Sequence, residues 1–451
     1  MKFVMFQVML IFTGLLAGNC NKGTVSNGPL PVMPSHPLQD PSDLDPIMNQ
    51  IGNARIVLLG EASHGTAEYY DWRSEISKRL IQEKGFDMIA VEGEWADSYR
   101  VNQFIKGASA DSAQAVSMLR QYNRWPTWMW GNYEVASLVT WMNRFNQSRG
   151  PAEKIGFYGL DVYCLWESMQ ELMPLIQNND SLRQMAQQVQ QCFQPYSADP
   201  GEYAYAVASA SANCRQQTER LWNAIWNVTG RQTARDEAGF LMQQNALVAL
   251  NGERYYRTSV NDYPGSWNIR DRHMTQTIIR LLEKHGPDAK IIVWEHNTHI
   301  GDARYTDMAA EGMANVGQLV REHYGQDNVY IVGTGSYKGT VIASDRWGGP
   351  VRTMEVPEAQ KGSWEEILHR SGEGNRIILS SELKGQPTWM SSLGNRAIGV
   401  VYNPRQERGN YVPTVIPNRY DAFIYFDQTR ALRPLGTTPV NEPPDTYPSG
   451  Y

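Results

Sequence analysis

Glu61 and His64 stand close together in "GEASHG", directly after the apolar run "RIVLLG", and Arg73 follows in "YYDWRSEISKRLIQEKG". Glu92 ends the run "DMIAVEG", Asp161 ends "KIGFYGLD", and His296 and His299 come at the end of "KIIVWEH" and just beyond it. A histidine with an ordinary pKa of about 6.5 takes a proton from water near neutral pH. A carboxylate beside it, Glu92 or Glu61, fixes its tautomer and stabilises the imidazolium, while Arg73 or a second histidine offsets charge on a tetrahedral oxyanion. That set of side chains suits hydrolysis by activated water. It also suits a metal: His296 and His299 share a face if their segment is helical, and with His64 and Glu92 they could hold Zn or Mn. A serine nucleophile fits less well, because the chain has no GxSxG elbow and Ser63, adjacent to His64, is badly placed to face it.

Each of these residues also has an ordinary structural reading. A lone His or Glu after a strand is usually a loop residue or a helix cap, Ser63 and Thr66 are competent caps, and Arg73 suits a solvated helix face. Glu94 and Glu295 rank lowest as site residues, since neighbouring strand positions point to opposite faces. Their conjunction at four strand ends is what demands a common explanation.

The elements that must position them are legible in the hydropathy pattern. Short runs rich in Ile and Val recur at 55, 87, 154, 290, 328, 339, 376, 397 and 422. Near-continuous apolar runs indicate strands buried on both faces. Helical patterns lie between several of them, such as 69–85, which ends at Gly85 as a C-cap should. This alternation predicts an α/β fold with a largely parallel central sheet flanked by helices, and in such sheets ligands bind beyond the carboxyl ends of the strands. Residues 165–288 instead carry helix-spaced apolar positions without a clear strand, which predicts a helical insertion subdomain between core segments 46–164 and 289–430. Aromatic residues gather from Trp125 to Trp141, and Trp128 in that stretch is a candidate wall of a cleft for a bulky ligand.

Composition bounds the remaining possibilities. The 451 residues are 41% hydrophobic and 20% charged, ordinary for a folded chain. A net charge of -6 with scattered Lys and Arg leaves no electrostatic footprint for nucleic acid. Lys2, an apolar stretch and small residues before Cys20 form an export signal over residues 1–20. "LLAGNC" resembles a lipobox, although Asn19 departs from the usual Gly, Ala or Ser. The expectation is a periplasmic or membrane-anchored protein that meets the membrane only through a lipid on Cys20; plain cleavage near Asn19 is the alternative. Residues 21–45 read as a flexible tether and 431–451 as a Pro-rich tail. In an oxidising compartment Cys192 and Cys214 can pair, contributing roughly 3 kcal/mol in the chain-entropy model, with two buried thiols as the alternative. No cysteine has a CxxC partner for structural zinc.

"GEASHG", Arg73, "VEGEW", "RWPTWMWGN", "FYGLDVY", "WEHNTHIGDAR" and "NVGQLVREHYG", in this order over about residues 46–430, resemble the erythromycin esterase family. The resemblance implies hydrolysis of a macrolactone ester by water, with no cofactor, metal or covalent acyl-enzyme. It implies His64 as general base, Glu61 and Glu92 as its acidic partners, and Arg73, His296 and His299 as further active-site residues; the strand-end position of Asp161 and the aromatic stretch around Trp128 place these two, with His296 and His299, on the substrate side. A small molecule, a macrolide among them, is then the expected partner. An exported lipoprotein that binds a large ligand without turnover is the non-enzymatic alternative.

Overall fold

A computed structural model describes residues 32–436, apart from 109–110, 123, 198–199 and 231–235. The export signal, Cys20 and most of the Pro-rich tail lie outside the described residues.

The strands are β1 (His36–Pro37), β2 (Ile56–Glu61), β3 (Met88–Glu94), β4 (Gly156–Asp161), β5 (Ile291–His296), β6 (Val329–Ala343), β7 (Arg352–Val356), β8 (Arg376–Leu379), β9 (Leu393–Arg396), β10 (Tyr411–Thr414) and β11 (Ala422–Thr429). The main sheet runs β1-β8-β11-β6-β2-β5-β3-β4, with β7 added to β6. The six strands from β11 to β4 are mutually parallel, and β8, β1 and β7 pair antiparallel. Both faces are covered, which is why the runs are continuously apolar. Val57, Leu59, Ile292 and Trp294 join one core cluster, and their neighbours Ile56, Leu58, Ile291 and Val293 join the other. The first is packed by helices Ala67–Lys84 and Tyr133–Asn146, the second by helices Tyr263–His285, Val316–Tyr324 and Trp364–Arg370. The fold is therefore α/β with a mostly parallel sheet.

Several expectations need correction. The runs at 328 and 339 form one strand, β6, which leaves β11 and takes up β7 at Gly339; a Cβ there would collide with the Thr429 carbonyl oxygen. "AIGVVY" at 397 is not a strand: it makes isolated bridges from Ile398 to Ser63 and from Val401 to Ser344. The described part of the 21–45 tether is folded, since β1 pairs with β8 and Met33, Leu38 and Leu44 are buried. Pro and Ser punctuate it as turns, while its few apolar residues do the packing. The start of the tail is packed as well, with Leu432 and Leu435 in the core.

Among the described residues between 165 and 285 the regular elements are helices, and a third apolar cluster ties helices Leu165–Leu175, Asp180–Phe193, Arg215–Thr229 and Glu237–Ser259 together. A Cys192–Cys214 disulfide clasps this unit, with the Cα atoms 5.8 Å apart. Helix Tyr263–His285 departs from the expected insertion. Met274, Ile278, Leu281 and Leu282 pack it against the sheet, so it delivers its residues to the strand ends.

Candidate active site

Because β2, β3, β4 and β5 are parallel, their carboxyl ends share one edge. β5 lies between β2 and β3, with Glu61 in register with His296. On the other side Glu94 is in register with Asp161, after a register shift that begins beyond Val91. The loop after β2 is fixed from several directions: Ala62 N–H donates to Thr334 Oγ1 at 3.1 Å, and Gly65 O accepts from Ile342 and Leu432 N–H, each at 3.0 Å. Gly65 is required by that close approach, since a Cβ would overlap the Ile342 carbonyl. Ser63 and Thr66 bond to each other through their hydroxyls, and neither caps the following helix.

His64 Nδ1 is 2.9 Å from Glu61 Oε1, and Arg73 Nη2 donates to Glu61 Oε2 at 2.6 Å, all three side chains buried. Arg73 comes from helix Ala67–Lys84, and its guanidinium lies 4.4 Å from the Tyr70 ring centroid and 4.6 Å from that of Trp294. It supports Glu61 from behind and does not line the cleft, so it is misplaced for the oxyanion role considered from sequence.

The cleft's own arginine is Arg270, from helix Tyr263–His285. Its Nε and Nη2 fork onto Asp161 at 3.0 and 2.7 Å, Nη2 also reaches Glu92 Oε1 at 2.8 Å, and Nη1 donates to His299 Nε2 at 2.9 Å. His299 Nδ1 lies 3.0 Å from both Asp271 oxygens, and its ring stacks on Trp267 at 4.5 Å with planes 6° apart. Acceptance of the Arg270 proton requires neutral His299 with its own proton on Nδ1, donated to Asp271. Burial disfavours the imidazolium, yet Asp271 and Glu92 lift the pKa above the ordinary value. Protonation would trade the Arg270 bond for Glu92 Oε1, 3.4 Å away.

Glu92 is an anion. Burial favours its neutral form, but His299, Arg270, His64 and the His296 N–H, 2.8 Å from Oε2, together hold it far below the usual carboxylate range. His296 is pushed well below the usual imidazole range by burial and by His64, whose ring is 4.9 Å away. Its Nδ1 accepts from the Thr298 N–H at 3.3 Å, and Nε2 is buried without a hydrogen-bond partner. Among the described residues no three His, Cys, Asp or Glu side chains are grouped to hold a metal ion.

A cleft opens onto this edge. His64, Glu92, Asp161 and Arg270 form its polar floor, and Trp125, Trp130 and Trp347 form much of its apolar wall. Glu61, Arg73, His296 and His299 sit behind that surface. Trp128 is a correction: it is 1% exposed, belongs to the core, and leaves the cleft wall to its neighbours Trp125, Met129 and Trp130. Glu94, ranked lowest from sequence, lines the cleft and accepts from Arg124 Nη1 at 2.7 Å. Glu295 is fully buried with both oxygens unpartnered, and burial with Glu92 and Asp271 nearby raises its pKa far above the carboxylate range. Arg270, Asp271 and Arg124 escaped the sequence reading. For the first two a signal exists: they interrupt an otherwise apolar stripe formed by Trp267, Met274, Ile278 and Leu281.

The parallel sheet thus carries a carboxylate-held histidine at a cleft on its carboxyl edge. The chain belongs to the erythromycin esterase family, whose model, described as erythromycin esterase, matches residues 81–429, and it is an ester-hydrolysing enzyme. The Glu61–Arg73 segment precedes the matched residues. The chain is 22% identical over 378 residues to the erythromycin esterase type II of Escherichia coli, covering 78% of this chain and 86% of that protein. Among solved structures, a Bacillus cereus protein aligns with a TM-score of 0.73 at 18% identity, over 88% of this chain and 96% of the other. A succinoglycan biosynthesis protein aligns at 0.69 and 21% identity, over 88% and 95%. A mutant of the erythromycin esterase EreC in its open conformation aligns at 0.64 and 15% identity, over 89% and 98%. These structural likenesses carry the fold.

Proposed function

We propose that the enzyme opens a macrolactone or a related ester with water activated by His64 and without a covalent intermediate. The observation that carries this reading is that His64 lines the cleft while its Nδ1 is occupied by Glu61, which leaves Nε2 to take a proton from water. Glu61, fixed in turn by Arg73, holds the ring and its tautomer and stabilises the imidazolium as it forms. As water adds to the ester carbonyl, negative charge develops on the carbonyl oxygen, and Arg270 is the cation on the cleft floor suited to offset it. Glu92 and Asp161 orient Arg270 through its remaining donors. The aromatic wall gives a ring of low polarity a surface to rest against.

The test is mass spectrometry of erythromycin and a panel of small esters incubated with the enzyme, with and without EDTA. The expected product is heavier by one water, survives chelation, and falls by at least about 100-fold in rate with His64→Ala. Loss of product with EDTA would replace the reading by a metal-activated water. Turnover of small esters with no macrolide product would retain the mechanism and reject the macrolactone.

A further inference from the structure

We propose that Glu94 is the acid that protonates the leaving alcohol, a catalytic carboxyl separate from the Glu61–His64 pair. This rests on the hydrolytic reading above. The backbone of β3 brings Glu92 and Glu94 to the same cleft, but their carboxyls are treated differently. Both Glu92 oxygens are engaged, Oε1 by Arg270 and Oε2 by the His296 N–H, which suits a permanent anion. Glu94 has one oxygen, Oε1, on Arg124, while Oε2 is buried and has no hydrogen-bond partner. Gly93 between them makes room for the aromatic wall, because a Cβ there would stand 2.7 Å from Trp130 Nε1. Trp130 can therefore lie against the strand and donate to Glu92 O at 3.1 Å, as part of the wall of the cleft that Glu94 also lines.

The surroundings fit a proton donor. Arg124 favours the anion, whereas Asp161 across the β3–β4 register and Glu167 on the next helix oppose it, and the Cys164 thiol lies alongside. Burial is the largest influence, and with these charges it lifts Glu94 to about 7. A carboxyl on a cleft wall with such a pKa is suited to give up a proton near neutral pH. His64 and Arg270 line the same cleft.

The steps balance. His64 Nε2 takes one proton of the attacking water as the new C–O bond forms. When the tetrahedral intermediate collapses, the bond to the alcohol oxygen breaks, its electron pair stays on that oxygen, and the Glu94 proton moves to it. The resulting carboxylate is held by Arg124. His64 then releases its proton to solvent and Glu94 regains one, so ester and water become acid and alcohol.

The test compares wild type, Glu94→Gln and His64→Ala on acetate esters whose alcohols range from p-nitrophenol through trifluoroethanol to ethanol. Glu94→Gln is expected to lose about 100-fold in kcat on the ethyl ester, in the range usual for general-acid catalysis, with the loss shrinking as the leaving group becomes more acidic. The alkaline limb near pH 7 on the ethyl ester should disappear. An equal loss across the series, or none, would overturn the assignment. If Glu94→Gln does not fold by circular dichroism, Arg124→Gln replaces it: removal of the cation should move the alkaline limb to higher pH, and an unmoved limb overturns the assignment. His64→Ala reads the underlying mechanism independently, since loss of the base should reduce rate on every ester. Wild-type rates in His64→Ala, or no turnover of any ester by wild type, would overturn both.

Discussion

Glu61 divides its carboxylate between two partners, presenting Oε1 to His64 Nδ1 at 2.9 Å and Oε2 to Arg73 at 2.6 Å, and the bond to His64 spans only three residues of chain. A strand end, a tight loop and the following helix are thereby locked into one unit.

Glu61→Gln tests that unit. The amide can satisfy His64 or Arg73 in shape but supplies no charge to either, so the imidazole loses its fixed tautomer. The expected result is a fall in kcat of about 100-fold to 10,000-fold with KM little changed. Arg73 also becomes a buried cation without a counter-ion, which costs about 3–5 kcal/mol in stability. Steady-state kinetics with urea unfolding check both halves, and intact kcat in a folded variant would remove Glu61 from the mechanism.

Arg270→Lys should fail as a conservative change. One ammonium cannot reproduce a planar fork that reaches Asp161, Glu92 and His299 at once. A loss of about 100-fold in kcat is expected, comparable to removal of one oxyanion donor. Rates within a few-fold of wild type would return the oxyanion role to another group.

Glu295 gives stability a pH dependence of defined sign. Its folded-state pKa lies well above that of an exposed glutamate, so the folded chain holds a proton that the unfolded chain releases. That contribution is complete below the ordinary glutamate pKa of about 4.3 and is lost as pH rises toward the folded value. Glu295→Gln keeps the shape without the titration. Urea midpoints measured from pH 5 to 8 should therefore decline less in Glu295→Gln than in wild type; parallel declines would mean that Glu295 is ionised in the folded protein.

The strands that carry Glu61, Glu92, Asp161 and His296 were readable because a buried parallel strand needs an unbroken apolar run, and a polar residue at its end stands out. β6 was read as two strands because Gly333, Gly335 and Gly339 dilute its apolar signal. β7 was missed because Arg352, Thr353 and Glu355 are exposed, leaving only alternate residues apolar. Arg270 and Asp271 sit mid-helix, where neither cap nor turn chemistry marks them, and only tertiary packing shows that their face meets the strand ends. Trp128 was misassigned for a related reason: a short 3-10 turn, Thr127–Met129, decides which of several neighbouring indoles faces the cleft, and composition carries no such information.

The position of β5 between β2 and β3 also makes the strand-end cluster depend on a late part of the chain. A chain synthesised only to the end of β4 already contains Glu61, His64, Glu92 and Asp161. It lacks the strand that spaces β2 from β3 and the helix that brings Arg270. The strand-end cluster is therefore complete only with the segment through His299 in the middle of the sheet. Closing so long an intervening loop costs little more than closing a shorter one, because the entropy grows only logarithmically with length. A fragment ending at β4 holds Glu61, His64, Glu92 and Asp161 without Arg270, His296 and His299.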